Sequence, residues 1–118
     1  MKQTLFSIYL LISAFVFAQT THTINAGMFY FTPSQLTIEQ GDIVVWINDM
    51  GFHDVNADIN TLTGESFGNP EAFDSPATGE VGAEIFSYTF NVPGTYNYDC
   101  SVGGHAMNGM VGTITVLE

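Results

Sequence analysis

The sequence predicts an all-β fold: a two-sheet Greek-key sandwich of seven to eight strands with one long irregular connection. Three observations carry this expectation. Beyond residue 20, apolar and polar residues alternate in short runs, the period of strands with one buried face. Gly, Pro, Asn and Asp gather between those runs, where turns are needed. The texture continues to residue 118 with no internal repeat and no low-complexity linker, which makes one domain of it.

Taken in order, Thr21–Asn25 and Met28–Phe31 are the opening strands, and Leu36–Glu39 follows a Pro33-Ser34 turn. Gln40-Gly41-Asp42 then turns into Ile43–Asn48. There Ile43, Val45 and Ile47 share one face and Val44, Trp46 and Asn48 the other, both apolar at the centre, as in a strand covered on both sides. His53–Ala57 is a short extended segment after the Asp49-Met50-Gly51 turn. From Asp58 to Glu84 the alternation fades among Gly64, Gly68, Pro70, Pro76, Gly79 and Gly82. A helical turn is expected at Pro70–Phe73, because proline suits a first helical position. Excursions this long are often functional, so the segment is either a site-covering or partner-facing loop or a passive surface insertion. Ile85–Val92 restores the alternation and Pro93-Gly94 turns the chain. Thr95–Cys100 then sets Tyr96, Tyr98 and Cys100 on one face and Thr95, Asn97 and Asp99 on the other. Met110–Val116 is the closing strand.

The first residues read differently. Met1–Ala18 opens with Lys2 and runs almost wholly apolar from Leu5, with small Val16 and Ala18 before Gln19. This is the pattern of a secretory signal peptide cut between Ala18 and Gln19, leaving a domain over residues 19–118. The apolar run falls short of the roughly 20 residues that span a bilayer, so no stable membrane insertion is expected. Export places the chain in a periplasmic or extracellular compartment. Lys2 is the only Lys or Arg against twelve carboxylates, so the exported domain has no basic side chain beyond its three histidines. Such a surface repels nucleic acid and anionic lipid, and it either steers cationic partners or only keeps an exported protein soluble. The aromatic and β-branched content excludes disorder.

A single cysteine in an exported domain cannot make an internal disulfide, which points to a specific task for Cys100. It opens the stretch Cys100-Ser-Val-Gly-Gly-His105-Ala-Met-Asn-Gly-Met110, a loop held at both ends by strands. Thiolate, imidazole and thioether are the soft donors that suit copper, and a thiolate with two imidazoles and a long axial thioether makes a trigonal electron-transfer site. The loop supplies three of these four. The second imidazole comes from His53, at a loop end of the sandwich, in preference to His22 near the frayed terminus. Met107 competes with Met110 for the axial role. Met110 is preferred because the Gly109 bend and the strand that follows it fix its position.

Phe31-Thr-Pro-Ser-Gln-Leu-Thr-Ile, Gly41-Asp-Ile-Val-Val-Trp-Ile-Asn, His53-Asp-Val, Pro93-Gly-Thr-Tyr-Asn-Tyr-Asp-Cys and the loop through Met110-Val-Gly-Thr-Ile-Thr-Val together resemble the plastocyanin/azurin family of blue-copper proteins, the cupredoxins. The resemblance implies an eight-stranded sandwich with one copper ion near one end. It implies one-electron transfer between redox protein donors and acceptors, with no catalysis. A monomer is expected, with partners whose docking surfaces are basic. Tyr96 resembles the family's corner tyrosine. Three features depart from the pattern. Four residues separate Cys100 from His105, where typical plastocyanins have two and azurins, auracyanins and phytocyanins have more. Asp54 stands where the family usually has an asparagine that ties the two ligand loops together, here through Ser101, and it brings negative charge near the metal. Asp99 also replaces an exposed tyrosine that plastocyanins use in docking, which favours transfer through the edge of His105, among Met50, Phe52 and Met107.

The main alternative is an exported copper chaperone or store, which calls for an exposed cluster of extra methionines, histidines or paired cysteines. A plain binding sandwich would leave the four placed donors a coincidence. Zinc would be poorly served by a thioether.

Overall fold

The computed structural model describes residues 18–118 and, before them, the separate positions Thr4, Ser7 and Ile8. The expected signal peptide therefore lies, apart from those positions and Ala18, outside the described residues. The described chain forms seven strands: β1 (Thr21–Gly27), β2 (Tyr30–Thr32), β3 (Gln35–Glu39), β4 (Ile43–Asn48), β5 (Glu84–Thr89), β6 (Gly94–Asp99) and β7 (Val111–Leu117). One 3-10 turn, Ala106–Asn108, interrupts the last connection. The strands make two facing sheets, ordered β2-β1-β4-β5 and β3-β7-β6. Each is mixed: β1 runs parallel to β4 and β3 parallel to β7, while the other neighbours are antiparallel. No helix among the described residues is long and apolar enough to cross a membrane.

Alternation drives the packing. In β4, Val44, Trp46 and Asn48 are buried, whereas Ile43, Val45 and Ile47 are half-buried, so one face meets the core and the other is only partly covered. Tyr96 and Tyr98 of β6 point into the same interior with Ile24, Phe90, Ile114 and Val116. Trp46 meets Tyr98 edge-on at 5.4 Å between ring centroids, and Tyr98 meets Phe31 at 4.9 Å. The Tyr96 hydroxyl donates to the Val92 carbonyl at 2.7 Å, closing a tyrosine corner across the β5–β6 connection. Burial pushes the Tyr96 phenol up to about 12.

Two expectations change. Met28 and Phe29 do not open a strand; they form the two-residue turn of a hairpin between β1 and β2, with Phe29 at φ 61°. Pro70–Phe73 is not a helical turn. Its backbone is engaged elsewhere: the Phe73 carbonyl accepts from Ala57 N–H at 2.7 Å, and the Asn69 side chain pairs with both backbone groups of Asn97. The connection after Asp58 is an edge cover. His53, Asn56 and Ile59 bridge back to Thr78, Asp74 and Ser66, and Asn56 also bridges Asp99. The segment thereby satisfies the open edge of β6, which a sandwich otherwise leaves unpaired. Asp99 lies on the outward face of β6 yet is buried, because its carboxylate accepts from Asn56 Nδ2 (2.8 Å), Thr61 N–H (2.9 Å) and Thr61 Oγ1 (3.0 Å).

At the far end of the sheet, His22 Nε2 lies 2.9 Å from the Asp42 carboxylate, which also accepts from Thr20 and Glu39 N–H groups at 3.1 Å. These bonds, led by that of His22, hold the Asp42 carboxyl below its ordinary value of 3.8 against the opposing effect of burial. The stabilisation is complete above that ordinary value and is lost as pH falls through the lower folded one. Asp42→Ala is expected to cost about 1–2 kcal/mol at neutral pH, since it removes three hydrogen bonds made to a charged acceptor. Urea unfolding should show variant and wild type converging in acid; an equal gap at all pH values would count against the linkage.

Candidate metal centre

Two loops at one end of the sandwich carry the chemistry. The first follows β4. Asn48 Nδ2 donates to the carbonyls of Gly51 (2.9 Å) and Glu80 (3.0 Å), binding the turn to the returning chain before β5. His53 is then pinned by backbone bonds to Thr78 in both directions, 3.1 and 3.0 Å. Its Nε2–H donates to the Met50 carbonyl at 2.8 Å, which leaves Nδ1 with a free lone pair aimed inward. The turn needs glycine at position 51. Its φ is 88°, and a Cβ there would lie 2.7 Å from His53 Nε2.

The second loop joins β6 to β7. Cys100 N–H donates to the Met110 carbonyl at 3.1 Å, closing the neck of the loop. Within it the chain makes the Ala106–Asn108 turn, and Gly109, at φ 98°, reverses direction so that Met110 N–H reaches the His105 carbonyl at 3.1 Å. Met110 is fully buried, whereas Met107 is 81% exposed.

The two loops bring three donors together. His53 Nδ1 lies 3.2 Å from His105 Nδ1, and Cys100 Sγ lies 3.5 Å from His105 Nδ1 and 3.8 Å from His53 Nδ1. Donors set trigonally around an ion, with bonds of roughly 2.0–2.3 Å, stand roughly 3.5–3.7 Å apart. The trio fits such an ion, and thiolate with two imidazoles is the set that suits copper. Burial pushes the Cys100 thiol up to about 11 and, as the largest influence, lowers His53. At neutral pH the metal-free site thus offers a neutral imidazole and a protonated thiol, and a metal must displace the thiol proton.

Around the trio, the Asp54 carboxylate joins the two loops. It accepts from Ser101 N–H at 2.7 Å and closely from the Ser101 hydroxyl. His105 is half-buried, and Phe29 meets its ring edge-on at 5.2 Å. A cleft of about 230 Å³ opens beside it, lined by Met28, Phe29, Met50, Phe52 and Val102 together with both imidazoles. Met50 and Phe52 stand where the sequence suggested; Met107 does not line this cleft. Met28 and Phe29 escaped the sequence analysis, although an apolar pair at a hairpin tip was their signal. His22 stands apart at the other end of β1, and among the described residues no donor group joins it to the centre.

Residues 18–117 match the model of a family described as copper binding proteins, plastocyanin/azurin family. The chain is similar to a plastocyanin from Scenedesmus fuscus, 37% identical over 93 residues, covering 78% of this chain and 91% of that protein. It is also similar to a chloroplastic plastocyanin of Oryza sativa subsp. indica, 33% identical over 97 residues, with 78% of this chain and 58% of that protein covered. Among solved structures, an oxidized amicyanin variant aligns with a TM-score of 0.60 at 25% identity, covering 90% of this chain and 88% of that one. A reduced Cu(I) form of another amicyanin variant aligns with a TM-score of 0.59 at 25% identity, over 80% of each chain.

Proposed function

Since the chain belongs to the plastocyanin/azurin family of copper-binding proteins, we propose that His53, Cys100, His105 and Met110 hold its one copper ion. The protein is a blue-copper electron carrier that works between redox partners, and not an enzyme. Copper supplies the Cu(I)/Cu(II) couple when bound. The chain's own residues do the rest. β6 and the β4 loop fix the thiolate and His53 from inside, so the donors need not rearrange as charge changes. Burial of His53, Cys100 and Met110 keeps bulk water away from them. The half-exposed His105 ring, beside its apolar cleft, is the route to a partner. The observation that carries this reading is the 3.2–3.8 Å spacing of three donors drawn from two loops. Loading with Cu(II) should give an intense blue or green thiolate-to-copper band that bleaches reversibly on reduction. A colourless protein that hands Cu(I) to acceptors would favour a chaperone or store instead.

Complete burial supports Met110 over Met107 as the thioether that would hold the ion. Met110→Leu should shift the visible and paramagnetic spectra of the copper form, and Met107→Leu should leave them unchanged. Asp54 and Ser101 tune the site from the next layer out. The Asp54 charge favours Cu(II), so Asp54→Asn is expected to raise the reduction potential by roughly 60 mV, one tenfold step for a one-electron couple. Voltammetry that finds no rise would contradict this. In the cell, residues 1–18 act as a signal peptide that directs the domain 19–118 to a periplasmic or extracellular space. There it works as a monomer, and its twelve carboxylates steer partners with basic docking surfaces.

A further inference from the structure

Of the four candidate donors, His53, Cys100 and Met110 are closed off from solvent, and His105 alone is half-buried. Anything entering the centre must therefore pass His105 and the cleft beside it. That approach is unusually rich in methionine. Residues 19–118 contain four methionines, of which one, Met110, is in the core. The other three are exposed by 68% (Met28), 49% (Met50) and 81% (Met107). Methionine ordinarily ranks among the buried residue types, so three exposed at one end of a small domain call for an explanation. Met28 sits at the tip of the β1–β2 hairpin and Met50 in the β4 turn, and both line the same cleft as the two imidazoles. Met107 lies two residues beyond His105 in the 3-10 turn. Two separate chain segments thus bring thioethers to the cleft beside His105, and a third thioether lies exposed on the turn that follows His105.

A thioether is a soft, neutral donor that selects Cu(I), and it keeps that ability at any pH because it carries no proton to lose. The net charge of the chain, −11, favours the approach of a cation. We propose that Met28, Met50 and Met107 form an entry station that captures Cu(I) and passes it to the buried centre, so that the chain acquires its metal in the reduced state. The inference rests on the copper centre proposed above and adds a route to it. No electron moves in the transfer. The thioethers release Cu(I) to the His53 and His105 nitrogens and the Cys100 sulfur, and the thiol proton leaves to solvent.

A plain apolar docking patch would also expose these side chains, and leucine separates the two roles because it keeps apolar surface and removes sulfur. The metal-free protein is mixed with the coloured Cu(I) bis-bicinchoninate complex, and loss of colour gives the uptake rate. The triple variant Met28→Leu/Met50→Leu/Met107→Leu should take up Cu(I) about tenfold more slowly, the low end of what lost supporting contacts cost a metal site. Its final visible spectrum, after oxidation, should match wild type. Uptake at the wild-type rate overturns the proposal and would mark a plain docking patch. A second measurement needs no variant. Silver(I) added to the reduced, copper-loaded protein should shift the ε-methyl resonances of Met28, Met50 and Met107; unmoved resonances overturn the station. A wild-type protein that takes up no copper at all would overturn the copper centre itself, a distinguishable outcome.

Discussion

Cys100→Ser is expected to abolish the intense thiolate-to-copper absorption and to stop electron transfer. Cys100 Sγ is one corner of the triangle with the two Nδ1 atoms, and it is the softest donor there. A hydroxyl is a hard donor that stays protonated at neutral pH, so the variant keeps two imidazoles without the anionic ligand that favours copper. Copper affinity should fall by at least the roughly 10–100-fold that follows loss of a mere outer-shell partner. The fold should survive. Serine is close in size to cysteine, and the backbone bond from residue 100 to the Met110 carbonyl is unaffected. A buried hydroxyl lacking a partner costs about 1–3 kcal/mol. Titration with Cu(II), followed by visible and paramagnetic spectroscopy, checks the prediction. An intense band that persists in the variant would remove Cys100 from the centre.

The largest effect on stability is expected at Tyr98. The ring is 1% exposed, packs edge-on against Trp46 and Phe31, and lies so close over Gly112 of β7 that a Cβ there would overlap it. Tyr98→Ala removes this sandwich filling and should cost about 3–5 kcal/mol, as truncation of large aromatic residues does. Against the roughly 5–15 kcal/mol that hold a typical domain together, that loss is severe. Tyr98→Phe should behave oppositely. Among the described residues the buried hydroxyl has no partner within hydrogen-bond distance, and burial pushes the phenol well above its ordinary range against a smaller lowering influence of the Trp46 side chain. Removing the hydroxyl should leave stability unchanged or raise it by up to about 1 kcal/mol. Urea unfolding of the metal-free protein measures both. Copper should narrow the Tyr98→Ala deficit, because a ligand that binds only the folded state adds to its stability. If Tyr98→Ala loses less than Tyr98→Phe gains, the packing argument fails.

The fold and much of the centre were legible in the chain itself, and particular residues show why. The alternation of β4 is local, so Val44, Trp46 and Asn48 could be assigned one face without knowing what they meet. Cys100, His105 and Met110 lie on one short loop, where donor chemistry and glycine spacing are both visible. The tyrosine corner likewise needs only four residues, from Val92 to Tyr96. Other features depended on distant partners. Asp99 alternates outward in β6, yet Asn56 and Thr61, some 40 residues earlier in the chain, bury it. Pro70–Phe73 carries a helix-start residue, but Ala57, distant from it in sequence, claims the Phe73 carbonyl. Met28 and Phe29 read as strand until the pairing of Gly27 with Tyr30 makes them a turn.

The sequence by itself determined the sandwich, the soft donor set and the absence of basic side chains beyond Lys2, because periodicity, side-chain chemistry and charge are properties of residues and their near neighbours. The sequence preferred His53 to His22 and Met110 to Met107; only the tertiary structure decided how closely His53 stands to Cys100 and His105, that Met110 is enclosed while Met107 faces solvent, and that Met28 and Met50 flank the entrance. Those outcomes depend on which strand ends lie side by side. That is set by sheet register and by the packing of two faces at once, a long-range balance that no local spacing encodes.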